Sequence, residues 1–574
     1  MNFVSGVQYA WRQPNCAIDD SVLEVARRYN VSIPIAQAVC SRGLRSGAAL
    51  DSYFFSATDA VAHPSLLKDS LVAVERIERA IANKEKILIF GDYDVDGITS
   101  SALMMLLLKP LNSAINFFLP HRIRDGYGLS VDVVERAAKN GYTLIITVDN
   151  GITAFAPAQR AHELGVDLII TDHHRPHETV PHAMAIVNPH QETCPYPFKS
   201  FAGVGVIFKL LSLLYERLGK ELPPKAYELL LLGTVADVVP LLGENRYWVR
   251  HALRQVQQQE SHALRVLKQN GKLDRPVLTA TDIGFFIAPQ INALGRLEDP
   301  RNGVKFLIGT NTQETEQVGK VLLELNQARK EIERAVFNEV VAEIESGRID
   351  LNREKIIMAA SDHWPAGVIG LVAGRLMATY GRPTILLHMH NGKAKGSCRS
   401  IKEFNMFQAL SASQDLLDTF GGHAVAAGLS LAIDKVPVLK QRLEEMVSAQ
   451  LTPEDFKRKL IIDAQLPLGD LNKKFVSDLQ LMEPFGCENP QPLFQISGVT
   501  LMTKPVLLKD AHVKCSVFAE GIIKPVIFFN NPRVYEVLNQ IGDAPFHLAA
   551  QSTENHWQGK VSLELIGSDI ALIS

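Results

Sequence analysis

The chain has 574 residues, of which 47% are hydrophobic and 21% charged, a composition typical of a globular protein with three or four domains. Its 59 lysines and arginines nearly balance 62 acids, and the formal net charge of -3 excludes polyanion binding through overall charge, so any nucleic-acid contact must come from local patches. Six cysteines without paired spacing indicate reduced thiols in a cytoplasmic protein, and no apolar run predicts a secretory signal or a membrane span.

The first 80 residues are predicted to form a helical lead-in. Apolar side chains recur at helical spacing in residues 21–29, 34–41 and 69–82, and the last of these helices runs into a predicted strand. No pattern in this region indicates chemistry.

Three aspartates follow that strand. Residues 87–90 predict a buried parallel strand and residues 98–108 the next helix, with Asp92, Asp94 and Asp96 between them. In an extended loop, alternate side chains point the same way, so the three carboxylates can converge. Carboxylates so close repel unless a cation joins them, and such oxygen ligands suit Mg²⁺ or Mn²⁺. Taken alone, the motif has an alternative interpretation as an acidic, solvated turn.

Further strands also end in polar residues. Residues 114–119 precede Arg122 and Arg124, residues 143–148 precede Asp149, and residues 167–170 precede Asp172, His173 and His174. This β-α-β alternation predicts a parallel sheet, where ligands bind beyond the carboxyl ends of the strands. Asp237, a lone acid at the end of an apolar helix, is a fourth contribution, with helix capping as its alternative role. Together these residues predict a metal site.

Four motifs, in this order, resemble those of the DHH phosphoesterases. They are GDYDVDG, TVDNG, TDHH and GTVADVVPL, and GGHAVAAG at residues 421–428 resembles the glycine-rich motif of the associated DHHA1 domain. The superfamily includes RecJ nucleases, oligoribonucleases and cyclic-dinucleotide phosphodiesterases. The resemblance implies a centre of two divalent cations, Mg²⁺ or Mn²⁺. Its implied ligands are Asp94, Asp96, Asp149, His173 and Asp237.

The resemblance also implies catalytic roles. His174 would contact phosphate, Asp149 would bridge the two ions, and Asp92 matches the first acid of its motif. Asp172 is the nearest candidate for an acceptor that fixes the tautomer of His173. Some relatives carry a histidine ligand at the position of Phe90, which cannot ligate, so one ion is expected to have fewer protein ligands here.

The middle of the chain is predicted to link two lobes. Residues 311–346 predict one long helix. Before it, Asn292 and Arg296 resemble an Asn-Ala-x-Gly-Arg element of the RecJ branch, in which the arginine would face the cleft; a surface salt bridge is the alternative role for Arg296.

A second α/β unit begins near residue 355. Lys393, Lys395, Ser397 and Arg399 occupy alternate positions of a predicted strand, so they share one face that suits phosphate, although a solvated strand edge is an alternative. His423, with the two glycines before it, is expected to open a helix whose N–H groups hold an anion.

The last part of the chain predicts a small β-barrel. Five short strand patterns, at residues 493–501, 513–518, 524–529, 545–550 and 560–565, fit an OB-like fold. Lysines and aromatic residues among them form a mixture typical of proteins that bind single strands, with packing in the core as the alternative role for most of the aromatic residues. They are Lys504, Lys509, Lys514, Lys524, Phe518, Phe528, Phe529 and Trp557. We expect this barrel to add affinity for long strands without taking part in chemistry.

The predicted fold class is therefore α/β, with two α/β lobes (a DHH parallel sheet and a DHHA1 unit) joined by a long helix, plus a C-terminal OB-like β-barrel. The predicted domains are a lead-in (1–80), a DHH domain (81–270), a linker with the long helix (271–350), a DHHA1 domain (351–455) and an OB-like nucleic-acid-binding domain (456–574).

The resemblance implies a RecJ-type, metal-dependent exonuclease that degrades single-stranded DNA 5′→3′ to 5′-mononucleotides in recombination and repair. The alternatives are a DHH phosphodiesterase for short oligonucleotides or cyclic dinucleotides, and a non-catalytic nucleic-acid scaffold. The expected partners are single-stranded DNA, a single-strand-binding protein and a DNA helicase; we expect a monomer without membrane contact. A terminal 5′-phosphate pocket is predicted from Arg122, Arg296, Ser397, Arg399 and His423.

Overall fold

The computed structural model describes residues 3–45, 47–55, 61–121, 128–557 and 560–573. It contains two α/β lobes joined by a long helix and a closed C-terminal β-barrel, which confirms the predicted fold class. Among the described residues, no helix is both long and apolar enough to span a bilayer.

The N-terminal region combines a short hairpin with three helices. Its elements are β1 (Phe3–Ser5), β2 (Ala10–Arg12), α1 (Asp20–Tyr29), α2 (Ile33–Ser41) and α3 (Gly47–Phe55). The hairpin was not predicted, because its two strands have only three residues each.

The first lobe is built on a five-stranded parallel sheet in the order β4-β3-β5-β6-β7. Its elements are α4 (Ser70–Ala82), β3 (Ile87–Phe90), α5 (Val95–Leu108), β4 (Ile115–Phe118), α6 (Val131–Lys139), β5 (Leu144–Val148), α7 (Phe155–Glu163), β6 (Asp167–Thr171), β7 (Ala185–Val187), α8 (Gly203–Arg217), α9 (Pro224–Ala236), α10 (Gly243–Gln258) and α11 (His262–Asn270). Alternate residues of β3 enter the cores on opposite faces of the sheet, which explains its uninterrupted apolar sequence.

A helical segment connects the lobes. It comprises α12 (Ala280–Asp282), a π-helical turn (Ile283–Ile287), α13 (Ala288–Leu297), α14 (Arg301–Ile308) and α15 (Thr312–Glu345). The 34-residue α15 matches the predicted long helix. Leu322 packs in the core of the first lobe, whereas Val336 and Val340 pack in the core of the second, so a single helix joins both cores.

The second lobe has a mixed sheet in the order β11-β12-β10-β9-β8. Its elements are β8 (Ile357–Ser361), α16 (Ile369–Tyr380), β9 (Thr384–His390), β10 (Lys393–Arg399), α17 (Met406–Ser411), β11 (Thr419–His423), β12 (Ala426–Ala432) and α18 (Val436–Gln450). The predicted helix opening at His423 is wrong. Residues 421–423 belong to β11, which pairs with β12 through a short hairpin connection at Ala424 and Val425.

The barrel closes because β15 pairs with both β16 and β18. The elements of the C-terminal region are β13 (Lys459–Ile461), β14 (Ala464–Gln465), α19 (Lys473–Gln480), β15 (Phe494–Leu508), β16 (His512–Ala519), β17 (Ile522–Phe528), α20 (Pro532–Ile541), β18 (Phe546–Trp557) and β19 (Lys560–Leu572). Phe528 is buried in the barrel, whereas Phe518 and Phe529 are exposed.

The N-terminal region is part of the barrel's core and is no separate lead-in to the first lobe. Val22, Ile35 and Phe54 share one apolar cluster with Phe494 and Phe546 of the barrel. In addition, β2 pairs with β13, and the buried Asp569 carboxylate accepts from the Trp11 side chain at 2.9 Å. The two ends of the chain therefore form one packed unit.

Candidate metal centre

Asp92, Asp94 and Asp96 lie where β3 ends and α5 begins, but they are not all in an extended loop. Asp94 is the N-cap of α5, and its side chain accepts from the Gly97 N–H at 3.0 Å. The helix therefore begins at Val95, three residues earlier than predicted, and Asp96 lies in its first turn. As a result, Asp92 and Asp94 point to one side of the centre and Asp96 to another.

The acids and histidines fall into three overlapping groups, and within each group the potential ligand atoms lie within 4.8 Å of one another. These groups are Asp92, Asp94 and Asp149; Asp96, His173 and Asp237; and Asp149, His173 and His174. Asp149 and His173 each belong to two groups, so the structure brings together all the predicted ligands and the three predicted catalytic residues.

Asp96 is fixed by the N-terminus of α8. Its two carboxylate oxygens accept from the backbone N–H groups of Gly203 at 2.5 Å and Val204 at 2.8 Å, an arrangement that the helix dipole favours. A β-carbon built at Gly203 would lie 2.6 Å from the Asp149 β-carbon, so only glycine lets α8 approach this closely. Sequence reasoning missed Gly203; its glycine-rich setting, Gly203-Val204-Gly205, is the one local signal.

His173 stands among three carboxylates. Its Nε2 lies 3.2 Å from Asp149 Oδ1, 3.6 Å from Asp237 Oδ2 and 4.0 Å from Asp96 Oδ2. His173 Nε2, Asp149 Oδ1 and Asp237 Oδ2 are buried without a hydrogen-bond partner among the described residues. Buried polar atoms normally have partners, so this convergence of unpaired oxygen and nitrogen atoms fits a cation-binding site.

The electrostatics point the same way. Burial and the charge of Asp94 raise the pKa of Asp96 to about 7, and burial and neighbouring aspartates raise the pKa values of Asp149 and Asp237 well above their usual range. Burial lowers the pKa of His173 to about 4 and keeps the imidazole neutral, the form that can bind a cation. The three carboxylates of Asp96, Asp149 and Asp237 are therefore unfavourable in their charged forms together unless positive charge is added.

The Asp172 carboxylate hydrogen-bonds the imidazole of His174. The prediction that Asp172 orients the ring of His173 is therefore wrong. Its Oδ1 lies 2.7 Å from His174 Nδ1 and accepts from the backbone N–H groups of both histidines. Residues 172 and 174 are two apart in extended chain and so share a side, which places His173 on the opposite side. Burial lowers the pKa of His174, but the hydrogen bond and charge of Asp172 outweigh it and raise that pKa overall.

Asp237 is the C-cap of α9, at the end of the apolar helix, as predicted. Val238 follows it at φ 60°, a conformation that a β-branched residue rarely adopts. The segment is held from the C-terminal region, because the Leu241 N–H donates to the Cys487 carbonyl at 2.9 Å and a β-carbon at Gly486 would lie 2.6 Å from Leu241 Cδ1. The predicted OB-like domain thus contacts the segment that follows Asp237, while the expectation that the barrel takes no part in chemistry stays a prediction.

A second network anchors the same region. Arg246 donates to the carbonyls of Tyr53, Leu481 and Met482, and Arg250 to those of Phe54 and Leu481. Both arginines belong to α10, so they join the first lobe to the N-terminal and C-terminal regions.

The centre opens into a cleft cavity of about 340 Å³. Its lining includes Asp92, Asp94, Asp149, His174, Asp237, Asn292 and Arg296. Arg296 also reaches the second lobe, since its Nη1 donates to the Gly367 carbonyl at 2.6 Å, two residues before α16. The predicted position of Arg296 at the cleft is thus observed.

Ser397 and Arg399 lie at the same helix N-terminus. A β-carbon built at Gly370, in the first turn of α16, would lie 3.2 Å from Ser397 Oγ and 3.3 Å from Arg399 Nη2. His423 occurs in the same cross-strand row as Arg399, because both residues pair with Ala426. Arg122 and Arg124 fall outside the described residues.

Phe90 is buried and stacks on Phe118, with ring centroids 5.8 Å apart, which agrees with its predicted inability to ligate. The remaining donors nevertheless fit divalent cations. Five aspartates and two histidines supply hard oxygen and imidazole donors, and the unpaired buried atoms of Asp149, His173 and Asp237 converge. The overlap through Asp149 provides for two neighbouring ions.

Comparisons with known proteins agree with this arrangement. Residues 86–234 match the DHH family N-terminal domain, residues 353–449 the DHHA1 domain and residues 462–569 the RecJ OB domain. The chain is 33% identical, over 96% of its length and 70% of the relative's, to the single-stranded-DNA-specific exonuclease RecJ of Bacillus subtilis (strain 168). It is 34% identical to the Escherichia coli (strain K12) protein of that name, over 87% of this chain and 89% of the relative.

Solved structures give the same result. A crystal structure of RecJ from Thermus thermophilus in complex with Mn²⁺ superposes with a TM-score of 0.82 at 27% identity, over 98% of this chain and 80% of that one. The protein from the same organism is also known in complex with Mg²⁺, with a TM-score of 0.75 at 26% identity, over 98% of this chain and 78% of that one.

Proposed function

The chain belongs to the RecJ family of single-stranded-DNA-specific exonucleases, and from this premise we propose that it degrades single-stranded DNA from the 5′ end to 5′-mononucleotides in recombination and repair. The observation that carries the proposal is the set of three overlapping acid and histidine groups at a cavity that Arg296 also lines. Arg296 is joined to the Gly367 carbonyl just before α16, the helix whose first turn lies beside Ser397 and Arg399. A non-catalytic scaffold would have no need to keep so many carboxylates buried together.

We propose Asp94, Asp96, Asp149, His173 and Asp237 as ligands of two Mg²⁺ or Mn²⁺ ions, with Asp149 shared between them and Asp92 adding charge. When bound, these ions would make water a stronger nucleophile and neutralise the charge that develops on the scissile phosphate. The α8 N-terminus keeps Asp96 in place while its remaining lone pairs stay available.

His174 is proposed to contact the scissile phosphate. Its Nδ1 is engaged by Asp172, which leaves Nε2 for the substrate at the cavity wall. Asp172 also accepts the Ile152 N–H at 2.9 Å, so the carboxylate that orients His174 is itself immobilised.

End recognition is proposed to occur at the N-terminus of α16. Ser397 and Arg399 supply a hydroxyl and a guanidinium there, Arg296 reaches the same turn from the first lobe, and backbone N–H groups add to a site suited to a terminal phosphate. Gly421 and Gly428 pair in one row with Ser397, so no side chain crowds the sheet beside it. We include His423 and Arg122 in this site.

We further propose that a single-strand-binding protein and a DNA helicase supply the substrate, and that one chain is the active unit, since all proposed ligands come from it. The proposed division of the sequence is residues 81–270, 271–350, 351–455 and 456–574, with residues 1–80 as a helical segment whose first three helices pack into the last of these units. The matched ranges of the three domain families support the DHH, DHHA1 and OB-like units of this division.

The proposed function has a direct test. With Mg²⁺ or Mn²⁺, 5′-phosphorylated single strands should be shortened progressively from the 5′ end with release of mononucleotides, whereas a blunt duplex of the same sequence should persist and a chelator should stop the reaction. Electrophoresis of 3′-labelled strands and chromatography of products follow both events. Cleavage confined to dinucleotides would instead favour an oligonucleotide phosphodiesterase.

Replacing Arg399 by alanine should remove most of the preference for a 5′-phosphate over a 5′-hydroxyl. Each charge-assisted hydrogen bond contributes on the order of 1.5–3 kcal/mol, so we expect roughly a ten-fold or greater loss in relative affinity. Competition binding of the two strands measures the ratio. Lys393→Ala is the matched control, because Lys393 lies on the same face of β10 but about 20 Å away. Equal losses in both variants would place end recognition elsewhere.

A further inference from the structure

The helical segment that lines the cavity through Asn292 and Arg296 has an exposed aromatic residue near its start. Its π-helical turn, Ile283–Ile287, contains Phe285, whose 73% exposure is the highest among the exposed large hydrophobic residues of the described chain. Isolated exposed apolar residues are ordinary in proteins, so the position of this one decides its meaning. π-helical turns also occur often at functional sites.

Phe285 belongs to one accessible stripe of the helix. Pro289, Asn292 and Arg296 are likewise accessible, whereas most positions between them are buried. The spacing of three or four residues places all four side chains on one side of the helix. Asn292 and Arg296 line the cavity beside the metal centre, so the stripe leads from that cavity outward to Phe285.

The π-helical turn also adjoins the end of α9. A β-carbon built at Gly284 would lie 3.8 Å from Val235 Cγ1, and Val235 precedes Asp237 by two residues. The π-helical turn that carries Phe285 therefore lies beside the end of α9, close to Asp237. Val238, 65% exposed, contributes a second apolar side chain after Asp237.

We propose that Phe285 is a stacking platform for a nucleobase of the DNA strand, on the 3′ side of the nucleotide being removed. The inference rests on the proposed function, which places the 5′ end at Arg296 and the second lobe. The strand then passes Asn292 at the metals and continues along the stripe toward Phe285.

The distance between Asn292 and Phe285 indicates which nucleotide would stack on Phe285. Seven residues separate Asn292 from Phe285, which corresponds to about 10 Å along a helix. Stacked nucleotides repeat at about 3.4 Å, so the base at Phe285 belongs to the second to fourth nucleotide. A phenyl ring can stack on any base, so this contact would add binding affinity without sequence preference.

The test couples the side chain to the base. Phe285→Ala should lower kcat/KM about ten-fold on ordinary single strands, the order of effect expected when one base loses its stacking partner. On strands with abasic sites at the second to fourth nucleotides, the wild-type protein should already show this loss, and Phe285→Ala should add little. Phe285→Trp should retain wild-type activity. In the metal-free protein, 2-aminopurine at these positions should be quenched less by Phe285→Ala than by wild type.

Phe286→Ala is the matched control, since Phe286 occupies the same turn but packs toward Gly271. It should respond to abasic sites as wild type does. An equal loss in Phe285→Ala on ordinary and abasic strands would overturn the stacking site alone, because the effect would not require a base. A wild-type protein that degraded neither strand would overturn the proposed function and the stacking site with it.

Discussion

Replacing Asp149 by alanine is expected to abolish hydrolysis, by on the order of 10³-fold or more, the loss typical when one preorganised electrostatic element of an active site is removed. Asp149 belongs to two of the three ligand groups, so its loss affects both proposed ions. Single-turnover cleavage of a 5′-phosphorylated strand measures the effect.

The fold should survive this substitution. Asp149 adds negative charge to a buried cluster, so without metal the variant should unfold at the same temperature as wild type or higher. The rise in unfolding temperature on adding Mn²⁺ should shrink, because the ion binds the folded state more weakly.

His174→Ala provides the contrast. It should reduce turnover yet keep the Mn²⁺-induced rise in unfolding temperature. If that rise disappears as well, His174 is a ligand and its proposed role is wrong. Near-normal turnover of Asp149→Ala would remove Asp149 from the site.

Removing the C-terminal region after Lys457 is expected to eliminate activity even on the shortest substrates. The truncation exposes the N-terminal residues that share the barrel core, at about 1.5–3 kcal/mol for each large apolar side chain. It also removes carbonyl acceptors of the arginines of α10 and the Cys487 carbonyl that holds the segment after Asp237. Thermal unfolding and dinucleotide hydrolysis measure both consequences.

A double variant, Lys514→Ala with Phe518→Ala, is the control for this truncation. Both residues are exposed on β16, so the barrel core and the contact at Leu241 remain intact. This variant should weaken binding of long strands and lessen its salt dependence while sparing dinucleotide hydrolysis. A truncated protein that stayed folded and hydrolysed dinucleotides normally would show that the contact at Leu241 is dispensable.

The sequence predicted most of the centre because its signals are local. Asp149 and His173 each follow an apolar strand, and parallel strands bring such residues to one edge. The predictions for Asp172 and for residues 421–423 were wrong because they depend on backbone geometry that the sequence pattern does not specify. The side to which Asp172 points depends on the extended backbone after β6, and a glycine pair suits a bare strand surface as well as a helix start.

Long-range packing could not be predicted. No local sequence pattern predicts that Phe54 packs against barrel residues some 440 positions away. Nor does any local pattern predict that the Cys487 carbonyl accepts from the Leu241 N–H. Such contacts depend on how finished units assemble. The helices at residues 20–29 and 33–41 were therefore predicted without their partner, and α3 was not predicted individually.

Because the N-terminal helices and the barrel share one core, that core can form only after almost the whole chain has been synthesised. About 400 residues separate Phe55 from Ala464, and a ribosome adding roughly 5–20 residues per second needs roughly 20–80 s to make them. Throughout that interval, the apolar faces of α1 to α3 have emerged while the barrel that covers them does not yet exist. The apolar faces of these helices therefore stay exposed to water in the nascent chain, beside two lobes that are already folding, until the barrel has been made.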